Sequence, residues 1–155
     1  MAKKYSEKRR HPRMPVISNL IEPVNLHYKT DDGKETSLVA ILADLSASGM
    51  RMISFLGAPL ADKFSISLQL PGTGKMEVSA KLAWVKQREN VYTIGIEFVH
   101  MAEKDAKLIS EMADDFNDCD TRILLKLPDV CTEKCKCHRI CNKIQKDESL
   151  FENAK

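Results

Sequence analysis

The chain has 155 residues, 43% of them hydrophobic and 30% charged, with a net charge of +2. That suffices for one compact domain with a real core plus an appendage, and it excludes a disordered chain. The near-balanced charge also excludes a general nucleic-acid coat, which needs a broad basic field, so any basic function must come from a local cluster.

The N-terminus, MAKKYSEKRRHPR, is positive with no apolar stretch behind it and does not read as a secretory signal. The longest apolar run, LVAILADL from Leu38, is far too short to span a bilayer. The expectation is a cytoplasmic chain with no membrane insertion and no nucleic-acid partner. Its five cysteines should stay reduced, which favours metal or thiol chemistry over disulfides.

The densest basic cluster is KRRHPR, Lys8 to Arg13. Pro12 pushes His11 out of the helical region, and Pro15 does the same to Met14. The segment is therefore expected to be extended or irregular. In an extended chain Arg9 and Arg13 point to one side and can converge on one ligand, while Arg10 points elsewhere. A guanidinium is a planar fork of donors suited to phosphate oxygens or to the O6 and N7 edge of guanine. The other reading is a solvated basic tail.

Beyond Pro15 the pattern becomes alternation. Val24, Leu26 and Tyr28 fall on one face, and Asp31-Asp32-Gly33 reads as a hairpin turn. Ser37 to Leu45 is a more continuous apolar strand, and Met50 to Phe55 is another. Phe64, Ile66, Leu68 and Leu70 alternate up to Pro71-Gly72. Met76, Val78, Ala80, Leu82 and Trp84 alternate again; Tyr92, Ile94, Ile96 and Phe98 supply the last strand. Six short strands with regular turns predict a small antiparallel barrel or sandwich. Then the period changes: Ala102, Ala106, Ile109, Met112, Ala113 and Phe116 have the spacing of an amphipathic helix over Met101 to Phe116.

Between two of these strands lies DLSASG, Asp44 to Gly49. Asp44 and Ser46 share a face if the segment is extended. A carboxylate can accept from guanine N1 and N2, and a hydroxyl adds an adaptable bond. Gly49 permits a positive φ and close backbone approach. Each feature also suits an ordinary turn.

RxxxR followed by DxSxxG at a strand turn, within a six-stranded protein, resembles the PilZ family. AKLAWV at Ala80 to Val85 and YTIGIEFVHM at Tyr92 to Met101 are similar to that family's late strands, and the helix from Ala102 fits its C-terminal helix. The resemblance covers roughly Lys8 to Phe116. It implies a mainly β fold, a six-stranded antiparallel barrel with a C-terminal helix, that binds the bacterial second messenger cyclic di-GMP. It further implies that Arg9 and Arg13 contact guanine edges and phosphates, with Arg10 the second basic residue of that loop. Asp44, Ser46 and Gly49 would form the second motif. Trp84 lies either beside a guanine or in the core. The implied organisation is a basic ligand loop at 1–14, a barrel plus helix at 15–116 and a Cys-rich extension at 117–155.

That extension carries CTEKCKCHRIC, which places Cys131, Cys135, Cys137 and Cys141 at C-x3-C-x-C-x3-C spacing. Four thiolates in so short a segment could bind zinc or an iron–sulfur cluster. On one continuous helix the two pairs would diverge, so a single site requires a break near Lys136 or a partner chain. The plain alternative is a thiol-rich tail. No apolar pattern marks these cysteines as core.

The expected function is a non-enzymatic cyclic di-GMP receptor that changes its contacts with a protein effector. The alternative is a metal or redox module whose working part is the tail. An enzyme ranks last: the histidines are scattered, and neither a Ser-His-Asp pattern nor a phosphate-loop motif is legible.

Overall fold

Hydrophobic alternation builds the sheet. The computed structural model describes residues 11, 13–15, 23–29, 33–57, 62–68, 70, 73–141 and 143–151. Seven strands and one long helix lie among them: β1 (Met14–Pro15), β2 (Pro23–Lys29), β3 (Glu35–Ser46), β4 (Gly49–Ser54), β5 (Lys63–Leu68), β6 (Met76–Arg88), β7 (Val91–Met101) and α1 (Glu103–Leu124). All pairings are antiparallel, in the order β1-β3-β2-β5-β6-β7-β4. Because β3 also pairs with β4, the ladder returns to its start and the sheet curls around its apolar face.

That face is where the alternating residues go. Leu38, Ala40 and Leu42 of β3 are buried, as are Met50 and Met52 of β4, and Phe64, Ile66 and Leu68 of β5. Met76, Val78 and Ala80 of β6 and Ile94 and Ile96 of β7 complete it. Burying one such side chain stabilises by roughly 1.5–3 kcal/mol before entropy is counted. The mainly β expectation with a helix after the last strand therefore holds. Gly33, at φ 80°, lies in the connection between β2 and β3; Asp31 and Asp32 lie outside the described residues.

Three irregularities interrupt the ladders, one of them between Ser79 and Ala80 of β6, and the other two bear on the site. One falls between Leu42 and Asp44 of β3, so Leu45 rather than Asp44 turns into the core. The other falls between Leu82 and Trp84 of β6, and beyond it the side chains from Trp84 to Arg88 are all exposed. A bulge adds one residue to one strand, which swaps the faces of everything after it.

β1 was not anticipated. It is two residues long and pairs Met14 with Leu45 and Pro15 with Asp44. Met14 is fully buried. The end of the basic segment is thereby anchored in the core, and Arg13 is delivered to the edge of β3.

α1 packs against β1 and β3 through Ile109, Met112 and Ala113. Glu103 and Asp105 in its first turn and Arg122 in its last complement the helix dipole. It begins after Met101, which belongs to β7, and runs past Phe116 to Leu124. The extra turns contain Asn117, Asp118, Asp120 and Thr121, weak helix formers. They are supported by the chain that follows. Lys143 Nζ donates to the Phe116 carbonyl at 2.7 Å and to Asp120 Oδ1 at 2.6 Å, and the Lys136 N–H donates to Asp115 Oδ2 at 2.7 Å. No helix among the described residues is long and apolar enough to cross a membrane.

Candidate functional site

The site begins with the register of β3. Asp44 faces Pro15 of β1 on one side and Arg51 of β4 on the other. That places two guanidiniums beside one carboxylate. Arg51 Nε donates to Asp44 Oδ2 at 2.8 Å, and Arg13 Nη1 lies 3.7 Å from Asp44 Oδ1, in ion-pair range but beyond a hydrogen bond. The Asp44 side chain is only 13% exposed. Its Oδ1 is buried with no hydrogen-bond partner among the described residues.

Ser46 and Gly49 close the hairpin between β3 and β4. Ser46 is buried; its hydroxyl accepts from the Ser48 N–H at 3.3 Å and donates to the Gly49 carbonyl at 3.2 Å. Its hydroxyl thus fixes the turn that sets Asp44 opposite Arg51. Gly49 is required for closeness: a Cβ there would sit 2.2 Å from the Ile96 carbonyl oxygen of β7. The positive φ that the sequence suggested for Gly49 is absent; Gly33 and Gly57 are the described glycines that adopt one.

Trp84 is not core. The bulge in β6 sets it opposite Gly95, on the outer face, 39% exposed. A Cβ on Gly95 would lie 2.2 Å from the indole Cε2 and Nε1, so the ring lies directly over that glycine. Lys86 Nζ stands 5.6 Å from the ring centroid, within cation–π range.

Arg13, Gly49, Arg51, Trp84 and Gly95 share one cleft of about 510 Å³, which Asp44 does not itself line. His11, Arg13, Ser48, Arg51, Trp84 and Glu97 are among its lining residues. It offers two guanidiniums for an anion and a flat indole for a base, and both guanidiniums lie against the Asp44 carboxylate behind them. Arg9 and Arg10 lie outside the described residues. A wider groove of about 850 Å³ runs over His27, Ser37, Ser65 and Ser79, but it contains neither arginine nor tryptophan.

Two contributors were missed in the sequence. Arg51 could have been found by counting back across the turn Ala47–Ser48, which sets residue 44 against residue 51. Gly95 could not, because its role depends on the bulge that brings Trp84 to it.

The tail does not support the metal expectation. Among the described residues no set of three His, Cys, Asp or Glu side chains is placed to hold a metal ion. Cys135 and Cys137 do meet, Sγ to Sγ at 3.4 Å. Cys119 of α1 joins Cys131, Cys135, Cys137 and Cys141 around a cavity of about 260 Å³. The physical reason is packing: the tail forms turns and a short 3-10 helix (His138–Ile140), and Cys137 and Ile140 are buried as part of the hydrophobic core. Burial first, and the Cys135 thiol second, push the Cys137 thiol far above its ordinary value. His138 is also buried, and its Nε2–H donates to the Asp147 carbonyl at 3.0 Å.

A model of the PilZ domain family matches residues 7–114. Among solved structures, the PilZ domain with c-di-GMP of YcgR from Escherichia coli is similar at TM-score 0.55 and 18% identity, over 78% of this chain and 99% of that one. YcgR in complex with c-di-GMP from the same organism gives TM-score 0.55 and 18% identity, over 78% of this chain and 51% of that one. The Bacillus subtilis inhibitor of motility, MotI/DgrA, gives TM-score 0.52 and 12% identity, over 79% of this chain and 54% of that one. The likeness is one of fold, and this chain spans 51% and 54% of the two longer proteins. No curated protein matches the chain.

Proposed function

The chain belongs to the PilZ domain family, and from that premise we propose that it is a receptor for cyclic di-GMP. The observation that carries the reading is Asp44: a largely buried carboxylate with one oxygen lacking a hydrogen bond among the described residues, held between Arg13 and Arg51, which line a cleft that also holds an exposed tryptophan. The ligand is a dianion with two guanines. Arg9, Arg10 and Arg13 attract and clasp the phosphates and the O6 and N7 edges. Asp44 accepts from guanine N1 and N2. Ser46 and Gly49 hold the turn in shape, and Trp84 stacks on a base. The YcgR domain, solved with c-di-GMP, shares the fold and supports this choice of ligand.

The division of the chain follows from that reading. Residues 1–14 serve as the clasp, 15–116 as the barrel with the first part of α1, and 117–155 as the extension, which begins with the last turns of α1. Binding alters the surface offered to a protein effector in the cytoplasm. The nucleotide is read and not turned over, since the groups in the cleft bind anions and bases rather than activate water. Zinc and iron–sulfur binding by the tail are not part of the proposal.

Calorimetry with cyclic di-GMP and cyclic di-AMP tests it. Saturable heat is expected with the first. Adenine offers Asp44 no N1–H, so the second should bind far more weakly. Equal affinity would remove Asp44 from base reading, and no heat with either would end the receptor reading.

A further inference from the structure

We propose that Arg51 is a positioning residue for guanine recognition: it holds one oxygen of Asp44 so that the other is presented to the base. The inference rests on the receptor reading above and assigns a role to a residue outside both arginine and DxSxxG motifs.

An aspartate's second torsion is broad and two-fold, so an unheld carboxylate at a cleft edge samples many orientations. Asp44 is held. The β3–β4 register sets Arg51 opposite it, and the Nε–Oδ2 bond at 2.8 Å is charge-assisted. That bond fixes the plane of the carboxylate. Oδ1 then sits buried without a hydrogen bond among the described residues, with Arg13 Nη1 at 3.7 Å. A buried acceptor without a donor is a cost in the free protein, and a guanine N1–H or 2-amino group would relieve it. The Arg51–Asp44 pair is therefore a preorganised half of a recognition site, completed by the ligand.

Arg51 is 44% exposed, so its ion pair contributes little to fold stability. Its effect should concentrate on binding, and specifically on the choice of base. Cyclic di-IMP is the useful probe. Its hypoxanthine keeps O6, N7 and N1–H and lacks the 2-amino group, so it reports on the edge that Asp44 reads and leaves the phosphate contacts unchanged.

The test compares wild type with Arg51→Ala, Arg51→Lys and Asp44→Asn, each titrated with cyclic di-GMP and cyclic di-IMP. Arg51→Ala should weaken cyclic di-GMP binding about tenfold to a hundredfold. It should weaken cyclic di-IMP less, so the preference for guanine narrows. Arg51→Lys keeps the charge and loses the planar fork; it should recover overall affinity more than preference. In an Asp44→Asn background, Arg51→Ala should add little. If both ligands weaken equally, Arg51 is a phosphate contact and the assignment falls. If only the ligand-free melting temperature drops, with preference intact, its role is structural and the assignment falls. Wild type that binds neither ligand defeats the receptor reading itself, a result separable from the others because it precedes any variant.

Discussion

Gly95 has no side chain, and that decides where Trp84 sits. A Cβ there would collide with the indole at 2.2 Å. Gly95→Val should therefore lift the ring off β7. The chain has one tryptophan, so its fluorescence reports that side chain alone. A red-shifted spectrum and several-fold weaker cyclic di-GMP binding are expected; an unchanged spectrum with unchanged affinity would mean the indole is not a stacking platform. The sequence could not show this. Leu82 and Trp84 are two apart, which predicts one face, and nothing in KLAWVK marks the inserted residue that swaps them. DLSASG was legible as a turn with a carboxylate, but Asp44's partner Arg51 required the hairpin register.

The buried thiol at Cys137 makes a second prediction at this scale. Its value is raised, by burial first and by Cys135 second. The folded chain keeps that proton at a pH where the unfolded chain loses it. Its contribution to stability is thus full below the ordinary thiol value of 9.0 and lost as pH rises above it. Melting temperatures should fall as pH rises from about 9 upward, and less steeply in Cys137→Ser. Alkylation should reach Cys137 last among the five cysteines. Early modification of Cys137 would contradict its burial.

At the scale of elements, two backbones meet where Gly49 passes Ile96. A methyl group there faces a carbonyl oxygen, not a flexible side chain, so β4 and β7 would have to part. Gly49→Ala should cost about 1–3 kcal/mol of stability, read as a lower denaturation midpoint. No loss would mean the strands can shift freely. The tail offers the other element-scale test. Lys136 pairs with Glu111 and its N–H bonds Asp115, while Lys143 lies 3.7 Å from the centre of the Phe116 ring. Lys136→Glu puts like charge on that helix face and should release the tail, seen as faster hydrogen exchange over residues 131–141 with the barrel unchanged. Unchanged exchange would show that apolar packing of Cys137 and Ile140 alone holds it. The strands were readable because period-two alternation is a strong signal over five or more residues. β1 is too short to carry a period, and the last turns of α1 were hidden because their polar residues are stabilised by chain that follows much later in the sequence.

For the whole molecule, the proposal amounts to a sheet curled around its core with Asp44 as the reading carboxylate, and basic chain leading into it from the N-terminal side through the buried anchor Met14. Composition pointed to this scale from the start: a net charge of +2 cannot attract polyanions broadly, so a small anion met by local arginines is the economical use of the basic residues. The four-cysteine metal site rests on spacing alone, and spacing does not report that Cys137 turns inward to pack. The most direct test of the central claim is a calorimetric titration of the full chain with cyclic di-GMP, set beside Asp44→Ala. The account predicts saturable binding by the wild type, little or none with cyclic di-AMP, and a loss of about a hundredfold or more in the variant while its ligand-free melting temperature barely moves. Wild type that gives no heat, or an Asp44→Ala chain that binds as tightly as wild type, would contradict it.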